Sequence, residues 1–267
     1  MSAIRLLLAE VEGTLLAPGN VLTAETERAV RRLRDADIQL AITSGRPPRG
    51  MRTLIAALRI TAPVSGFDGG MLVRPDLSLL EQHALGDQVA GAVIASMEQH
   101  GLDVWVYQRD AWRARRPDAT HVAQEETTAQ FAPEPVEQWD DRVHDSVKIA
   151  GRSDDADALA RCETDLEAHR AYVSVVRSRP CSLAVTHPRA NTGELVRTLS
   201  RYLGVTPAAI AAIGQAPNAV LMFRECGLAV AMGQAGAAVQ RRAHYITRSN
   251  EDEGFAHAVE TWVLNML

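Results

Sequence analysis

Ile4-Arg5-Leu6-Leu7-Leu8-Ala9 leads directly into Glu10-Val11-Glu12-Gly13-Thr14, and this junction is the strongest indication of the fold. A short apolar run that ends in a turn predicts a strand buried on both faces of a parallel sheet. From Thr23 onward, apolar residues and arginines separate with helical spacing, which predicts a helix. Residues 38–42, apolar except for Gln39, then predict a second buried strand, with Thr43-Ser44-Gly45-Arg46-Pro47 as the loop at its carboxyl end.

The same alternation of helix and strand returns near the C-terminus. It predicts a helix, a strand, a helix, a strand and a last helix at residues 194–203, 210–213, from 217, 228–231 and 255–263. The middle of the chain lacks this regularity and predicts strands at 104–107, 146–150, 171–176 and 182–185, with helices at 89–99 and 155–169. We therefore predict a doubly wound, Rossmann-like α/β core with a parallel sheet, formed by residues 1–83 and 187–267, and an α+β domain inserted at residues 84–186.

The composition argues against several classes of partner. The chain carries a formal net charge of −5 at pH 7, so no global positive field attracts nucleic acid or anionic lipid. Its N-terminal apolar run is too short for a signal peptide, and no apolar run reaches the roughly 18 residues of a membrane span. Cys162, Cys181 and Cys226 are far apart and odd in number, which fits reduced thiols better than disulfides. We expect a cytoplasmic protein whose partner is a small molecule, and the oligomeric state is not indicated.

Doubly wound folds bind ligands at the carboxyl ends of their strands, where residues 10–14, 44–47, 191–193 and 214–219 should meet. These stretches, in this order, resemble the motifs of the haloacid dehalogenase superfamily. They read Glu10-Val11-Glu12-Gly13-Thr14, Thr43-Ser44-Gly45-Arg46-Pro47, Asn191-Thr192-Gly193 and Gly214-Gln215-Ala216-Pro217-Asn218-Ala219. Further details resemble the Cof-type phosphatases with a class IIB cap: Met222-Phe223, Ala231-Met232-Gly233 and Gly254-Phe255-Ala256. The resemblance covers nearly the whole chain.

The resemblance implies a role for each motif. The first family motif carries an aspartate nucleophile, which becomes phosphoaspartate, and an aspartate that acts as general acid or base. This chain has Glu10 and Glu12 at those positions. The second motif supplies a hydroxyl for the phosphoryl oxygens, which Ser44 keeps, and the third supplies a lysine, where Thr192 stands. Lys148 is the single lysine of the chain and lies in the predicted insertion.

In the fourth motif this chain departs from the family pattern. The family motif supplies aspartates for Mg²⁺, but Gln215 and Ala219 stand at those positions and only Asn218 is retained. An asparagine that usually precedes a Gly-Gly pair near the cap junction is matched by Asp68. Mg²⁺ is usually held through carboxylates, so the sequence predicts no metal site, no cofactor, and Mg²⁺ binding that is weak or absent.

The leading interpretation is a pseudophosphatase that binds a small polar or anionic metabolite between core and cap. Each Asp→Glu change adds a methylene, and misplacing a reacting group by about 1 Å can cost on the order of a hundredfold in rate. The candidate catalytic residues are Glu10 and Glu12. The candidate ligand-binding residues are Ser44, Gly45, Arg46, Thr192, Gln215 and Asn218.

Two other functions stay open. In the first, Glu10 and Glu12 act as acid and base in a metal-free dehydration, isomerisation or cyclisation. In the second, the chain is a weak Mg²⁺-dependent phosphatase of the sugar-phosphate type. Two local alternatives are also open: Thr192 caps a helix or contacts substrate, and the aromatic pair Trp105 and Tyr107 forms a ligand platform or packs against helices.

Overall fold

The computed structural model describes residues 3–139 and 143–266. Its strands, in chain order, are β1 (Leu6–Glu10), β2 (Gln39–Thr43), β3 (Val64–Gly66), β4 (Met71–Val73), β5 (Leu79–Gln82), β6 (Asp103–Tyr107), β7 (Trp112–Ala114), β8 (Glu134–Pro135), β9 (Lys148–Arg152), β10 (Ser174–Arg179), β11 (Ser182–Thr186), β12 (Ile210–Gly214), β13 (Leu228–Ala231) and β14 (Tyr245–Ile246). Its α-helices are α1 (Ala24–Asp35), α2 (Arg52–Leu58), α3 (Asp87–Gln99), α4 (Val122–Ala129), α5 (Ala156–Leu166), α6 (Thr192–Leu203), α7 (Ala219–Glu225), α8 (Ala237–Gln240) and α9 (Gly254–Ala258).

The chain forms two compact units. The first comprises Met1–Gly45, Arg52–Leu79 and Asn191–Leu267, and the second comprises Arg46–Met51 and Leu80–Ala190. The predicted boundaries at residues 83/84 and 186/187 therefore differ from these by a few residues. The grouping of Arg46–Met51, a short segment just after β2, with the second unit was not predicted.

The first unit contains the α/β sheet that the sequence predicts. In the described part of the chain, the strand order of this sheet is β14-β13-β12-β1-β2-β3-β4-β5, and of β5 only Leu79 belongs to the first unit. Strand β1 pairs in parallel with both β2 and β12, and every one of its residues is buried, as expected for a strand covered on both faces. The sheet is mixed and not wholly parallel, because β4 runs antiparallel to β3.

Side-chain capping fixes where two helices of the first unit begin, α1 and α6. Helix α1 starts after Thr23, whose hydroxyl oxygen accepts a hydrogen bond from the Thr26 backbone N–H at 3.2 Å. Helix α6 starts after Asn191, whose side-chain oxygen accepts from the Glu194 N–H at 2.9 Å. Asn191 is therefore the cap of α6, and the prediction that Thr192 caps this helix is wrong by one residue.

The second unit is an α+β domain. Its described strands form a sheet in the order β10-β11-β9-β6-β7-β8, and helices α3 and α5 pack on one face through a shared apolar cluster. Strands β9 and β10 each begin later than the apolar runs predict. The reason is local: the Ser146 hydroxyl donates to the Val143 carbonyl, and the Tyr172 N–H donates to the His169 carbonyl at 2.8 Å, so both stretches form turns before the strands.

The aromatic residues of β6 are packed and do not form an open platform. Trp105 and Tyr107 are each about 1% exposed. The Tyr107 hydroxyl donates to Glu125 of α4 at 2.6 Å, and Glu125 forms a buried ion pair with Arg152 at 3.1 Å. The Arg152 guanidinium lies 4.6 Å from the centre of the Trp105 ring. The structure therefore shows that Trp105 and Tyr107 are packed inside the second unit and do not form a ligand platform.

Two expectations drawn from composition can be compared with the structure. Cys162, Cys181 and Cys226 are all free thiols. Among the described residues, no helix has the length and apolar character needed to cross a membrane.

Candidate active site

The candidate site lies in the first unit, at the carboxyl edge of its sheet. Strand β1 is flanked by β2 and β12, which run parallel to it, so the loops that follow these strands lie side by side. Glu10 is the last residue of β1 and is paired in register with Thr43 of β2. The chain then makes a wide turn over Val11–Leu15, in which Gly13 takes a φ of +67° that favours glycine.

Glu10 is held by one carboxylate oxygen while the other has no partner. The residue is 6% exposed, and its Oε2 accepts hydrogen bonds from the backbone N–H groups of Gln215 at 2.7 Å and Ala216 at 3.1 Å. Its Oε1 is buried and has no hydrogen-bond partner among the described residues. Gly214 makes room for this side chain, because a Cβ at that position would lie 2.9 Å from the Glu10 carboxyl carbon.

Burial raises the pKa of Glu10 to about 7, from an ordinary value of 4.5. The two backbone hydrogen bonds stabilise the carboxylate and oppose this shift, whereas the negative charges of Asp68 and Glu12 add to it. Glu10 is therefore divided between its protonated and ionised forms near neutral pH, and a nearby positive charge would favour the ionised form.

Glu12 is joined to the loop after β2. The Ser44 hydroxyl donates to the Glu12 carboxylate, at 3.0 Å from Oε1 and 2.9 Å from Oε2. The Ser44 backbone N–H donates to the Ser65 carbonyl of β3 at 3.0 Å, which fixes the loop against the next strand. The structure thus brings Glu10, Glu12 and Ser44 together, as the sequence predicts.

Asp68 is a site residue that the sequence prediction did not include. It follows β3, and its Oδ1 accepts a hydrogen bond from Asn218 Nδ2 at 3.1 Å. Asp68 has a left-handed backbone (φ 56°), a conformation that aspartate and asparagine adopt more readily than most residues, and its N–H donates to the Ser44 carbonyl at 2.9 Å. The sequence analysis matched it to the family asparagine before Gly69-Gly70 but did not place it among the candidate site residues.

The remaining predicted residues differ in their relation to this cluster. Thr192 is fully buried, and its hydroxyl donates to the Asn218 backbone carbonyl at 2.7 Å, so this hydroxyl proton serves the loop and not a ligand. The Gln215 side chain lies against Gly13, where an added Cβ would be 3.1 Å away. Gly45 ends the first segment of this unit, whereas Arg46 belongs to the second unit, so its place in the site stays a prediction.

The side chains of the cluster can be tested for their fit to Mg²⁺. The unpartnered buried atoms here include Glu10 Oε1 and Asn218 Oδ1, which are both oxygens, the atom type that Mg²⁺ requires. Asp68 and Glu12 add negative charge close enough to affect Glu10. Among the described residues no group of three or more histidine, cysteine or acidic side chains is arranged to hold a metal ion. Mg²⁺ does not require such a group, since the ion usually takes one or two carboxylates and keeps several waters. The residues therefore fit Mg²⁺.

Comparisons with known proteins agree with this geometry. A family model described as haloacid dehalogenase-like hydrolase matches residues 7–259. The 5-amino-6-(5-phospho-D-ribitylamino)uracil phosphatase YcsE of Bacillus subtilis is 24% identical over 262 residues, covering 98% of this chain and 96% of that protein. A haloacid dehalogenase-like hydrolase structure from Bacteroides thetaiotaomicron matches with a TM-score of 0.88 at 23% identity, covering 96% of this chain and 98% of that one. The structure of a subclass IIB sugar phosphatase matches with a TM-score of 0.84 at 16% identity, covering 97% and 99%. These findings confirm the resemblance that the motifs carry.

The same comparisons correct the expectation about cofactors. The sequence predicted no cofactor and weak or absent Mg²⁺ binding, and this is wrong, because the matched family is one of hydrolases whose phosphatases normally depend on Mg²⁺. The prediction was based on the side chains of the fourth motif; it named Asp68 but did not count its charge toward a metal site, and the unpartnered oxygens are visible only in the structure. The metal-free alternative assumed that the protein works without Mg²⁺, and this correction removes that assumption. The comparisons do not support the pseudophosphatase interpretation and favour the phosphatase alternative instead.

Proposed function

Because the chain belongs to the haloacid dehalogenase-like hydrolase family, we propose that it is a Mg²⁺-dependent phosphatase that hydrolyses phosphate monoesters of small polar metabolites. One observation carries the proposal. The Glu10 carboxylate is oriented by two backbone N–H groups at one oxygen and leaves the other oxygen buried without a partner. A nucleophile needs this combination of fixed orientation and an available lone pair.

In the first step, Glu10 Oε1 attacks the phosphorus of the ester. A bond forms between Oε1 and phosphorus while the bond from phosphorus to the alcohol oxygen breaks, which leaves a glutamyl phosphate. Glu12 in its protonated form donates a proton to the departing alcohol oxygen. The hydrogen bond from Ser44 to Glu12 holds this carboxyl group in place.

In the second step, water attacks the phosphorus of the glutamyl phosphate. Glu12, now ionised, accepts a proton from the water, the bond between phosphorus and Oε1 breaks, and Glu10 returns as a carboxylate with inorganic phosphate as product. The two glutamates therefore keep separate roles, nucleophile and acid/base, through both steps.

The charge of the transferring group requires positive partners. The Glu10 carboxylate and Asn218 Oδ1 would hold Mg²⁺, which when bound would supply positive charge for the phosphoryl oxygens. Asn218 is fixed on the opposite side by donating its Nδ2 to Asp68. Ser44 and Gly45, in the loop after β2, are the proposed neighbours of the phosphoryl oxygens.

The test is hydrolysis by the purified protein, with Mg²⁺ or with a chelator. The substrates are an aryl phosphate, a panel of sugar phosphates, and 5-amino-6-(5-phospho-D-ribitylamino)uracil, which the Bacillus subtilis relative is named for. Glu10→Ala is the test variant, and Glu251→Ala, at an exposed glutamate, is the matched control. We expect turnover that needs Mg²⁺, is lost in Glu10→Ala and is unchanged in Glu251→Ala. Acid quenching should trap a phosphoryl group on the peptide that contains Glu10.

Turnover equal in the wild type and Glu10→Ala would contradict the proposal, and so would Mg²⁺-dependent turnover without a phosphorylated Glu10 peptide after quenching. Complete absence of turnover on the whole panel would favour the second candidate.

That second candidate is a protein that binds a phosphorylated metabolite without hydrolysing it. The observation that favours it concerns Thr192, at the position of the family lysine, which is buried and donates its hydroxyl to a backbone carbonyl. The single lysine, Lys148, lies in β9 of the second unit with its ammonium 5.1 Å from the centre of the Tyr107 ring. Calorimetric titration with a non-hydrolysable phosphonate would then show saturable binding in the absence of turnover.

A further inference from the structure

Asp68 is the residue of the site whose role the family pattern does not explain. The family motif places an asparagine at this position, whereas this chain has an acid. The fourth motif shows the opposite change, because Gln215 and Ala219 replace its acids. The sequence alone gives no reason to connect these positions, since Asp68 lies 150 residues from Asn218.

The structure connects them through a single hydrogen bond. Asn218 Nδ2 donates to Asp68 Oδ1 at 3.1 Å. An ionised carboxylate can only accept hydrogen bonds, so it selects the orientation of the amide in which the NH₂ group faces Asp68. The Asn218 oxygen must then point away from Asp68, and this Oδ1 is buried with no partner among the described residues.

A second buried oxygen, Glu10 Oε1, likewise lacks a partner. The negative charge of Asp68 lies close enough to act on Glu10. Two unpartnered oxygens near the carboxyl groups of Asp68 and Glu12 form an arrangement that a divalent cation would stabilise.

The loop that carries Asp68 is held firmly. The Asp68 N–H donates to the Ser44 carbonyl, and Gly69 takes a φ of +104° where a Cβ would lie 2.5 Å from the Asn191 carbonyl oxygen. Only glycine allows this close approach to the start of α6. The carboxylate is therefore presented by a fixed backbone and not by a mobile loop.

We propose that Asp68 takes over the charge of the missing fourth-motif acids: it orients the amide oxygen of Asn218 and supplies negative charge for a divalent-cation site that includes the Glu10 carboxylate. Asp68 is thus a positioning residue for the cation that the proposed function requires. The inference rests on that function for its purpose, but the binding of the cation can be measured without any substrate.

The test is titration of the metal-free protein with Mn²⁺, followed by the electron paramagnetic resonance signal of free Mn²⁺, with Mg²⁺ as competitor. Asp68→Asn keeps a side chain that can accept from Asn218 and tolerates the left-handed backbone, but it removes the charge. Asp68→Gly removes both the hydrogen-bond acceptor and the charge, and glycine takes the left-handed backbone without strain. Asp76→Asn, at an exposed aspartate in the turn after β4, is the matched control.

We expect the wild type to bind Mn²⁺ saturably and in competition with Mg²⁺. Asp68→Asn and Asp68→Gly should weaken binding by about 10- to 100-fold, the usual effect of removing a residue that orients a metal ligand. Asp76→Asn should match the wild type. The exchange variant Asp68→Asn with Asn218→Asp keeps the carboxylate–amide pair and the net charge, so it should recover most of the affinity.

Thermal unfolding in chelator serves as the folding check, and Asp68→Asn alone decides the question if Asp68→Gly does not fold. The inference is overturned if Asp68→Asn binds Mn²⁺ within twofold of the wild type, if the wild type shows no saturable binding, or if the exchange variant is as weak as Asp68→Asn. Failure of the proposed function has a different signature. A chain that binds Mn²⁺ through Asp68 but turns over no phosphate ester retains this inference and loses the proposed activity.

Discussion

Glu10 shows how a buried glutamate is held at the end of β1. Its side chain lies over Gly214 and directs Oε2 to two backbone N–H groups. These hydrogen bonds fix the carboxyl group, so the second oxygen keeps a defined direction. The cost is burial of a carboxyl group beside the charges of Asp68 and Glu12. Such a perturbed acid is typical of functional sites.

This perturbation predicts a pH dependence of stability in the metal-free protein. The pKa of Glu10 is about 7 when folded and near 4.5 when unfolded, so the folded state holds more protons between these values. The free energy of unfolding should therefore fall as pH rises from about 4.5 through 7, by about 3 kcal/mol for this group. Glu10→Gln should remove most of this fall, as measured by urea unfolding at pH 5 and pH 8 in chelator.

Glu251→Gln, at an exposed glutamate, is the control and should keep the pH dependence of the wild type. An equal fall in stability for Glu10→Gln and the wild type would show that Glu10 does not hold its proton near neutral pH.

At the scale of elements, the second unit is fixed by contacts between β6, β9 and α4. Tyr107 of β6 donates to Glu125 of α4, and Glu125 pairs with Arg152 of β9. Burial raises the pKa of Tyr107 well above its ordinary value, and the charge of Glu125 adds to this, so the hydroxyl keeps its proton and donates. The side chains of Glu125 and Arg152 are each 6% exposed, which makes the pair sensitive to the loss of either partner.

Glu125→Ala should therefore destabilise the protein by about 3–5 kcal/mol, because it leaves the Arg152 guanidinium buried without its carboxylate. Glu125→Gln should cost less, since the amide oxygen still accepts from Tyr107. Chemical denaturation followed by tryptophan fluorescence measures both. Gln124→Ala, at an exposed position of the same helix, should change stability by no more than about 0.5 kcal/mol. A loss in Glu125→Ala no larger than in this control would contradict the assignment.

At the scale of the whole molecule, acidic charge shapes both the surface and the site. The chain has a formal net charge of −5, and the site alone gathers Glu10, Glu12 and Asp68. Like charges held together by folding oppose the folded state, and a cation bound only when the chain is folded relieves this opposition. Cation binding and stability are therefore linked.

We expect saturating Mg²⁺ to raise the melting temperature of the wild type. A concentration about 100 times the Kd adds about 2.7 kcal/mol to the free energy of unfolding, which corresponds to roughly 5–10 °C for a protein of this size. Calorimetry with Mg²⁺, with chelator, and with sodium chloride at equal ionic strength measures the shift. An equal rise with sodium chloride would mean that general screening, and not a bound cation, is responsible.

The amino-acid sequence by itself determined the α/β core and the insertion. Buried strands such as β1 have nearly continuous apolar runs, and amphipathic helices such as α1 separate their two faces, so hydrophobic periodicity indicates both. The motif residues Glu10, Glu12, Ser44 and Asn218 could also be found, because loops at the carboxyl ends of parallel strands converge by topology. Element starts were less accurate where side chains or turns, as at Asn191, set the boundary.

Only the tertiary structure decided how the site is joined together. The backbone N–H groups that hold Glu10 belong to residues 205 and 206 positions away, and Asp68 meets Asn218 across 150 positions. Hydrogen bonds between distant segments leave no periodic pattern in the sequence, since they depend on how the strands are ordered in the sheet. The contact of Thr192 likewise depends on the tertiary structure. The sequence permits a role in ligand binding, but in the fold its hydroxyl is buried and donates to the Asn218 carbonyl.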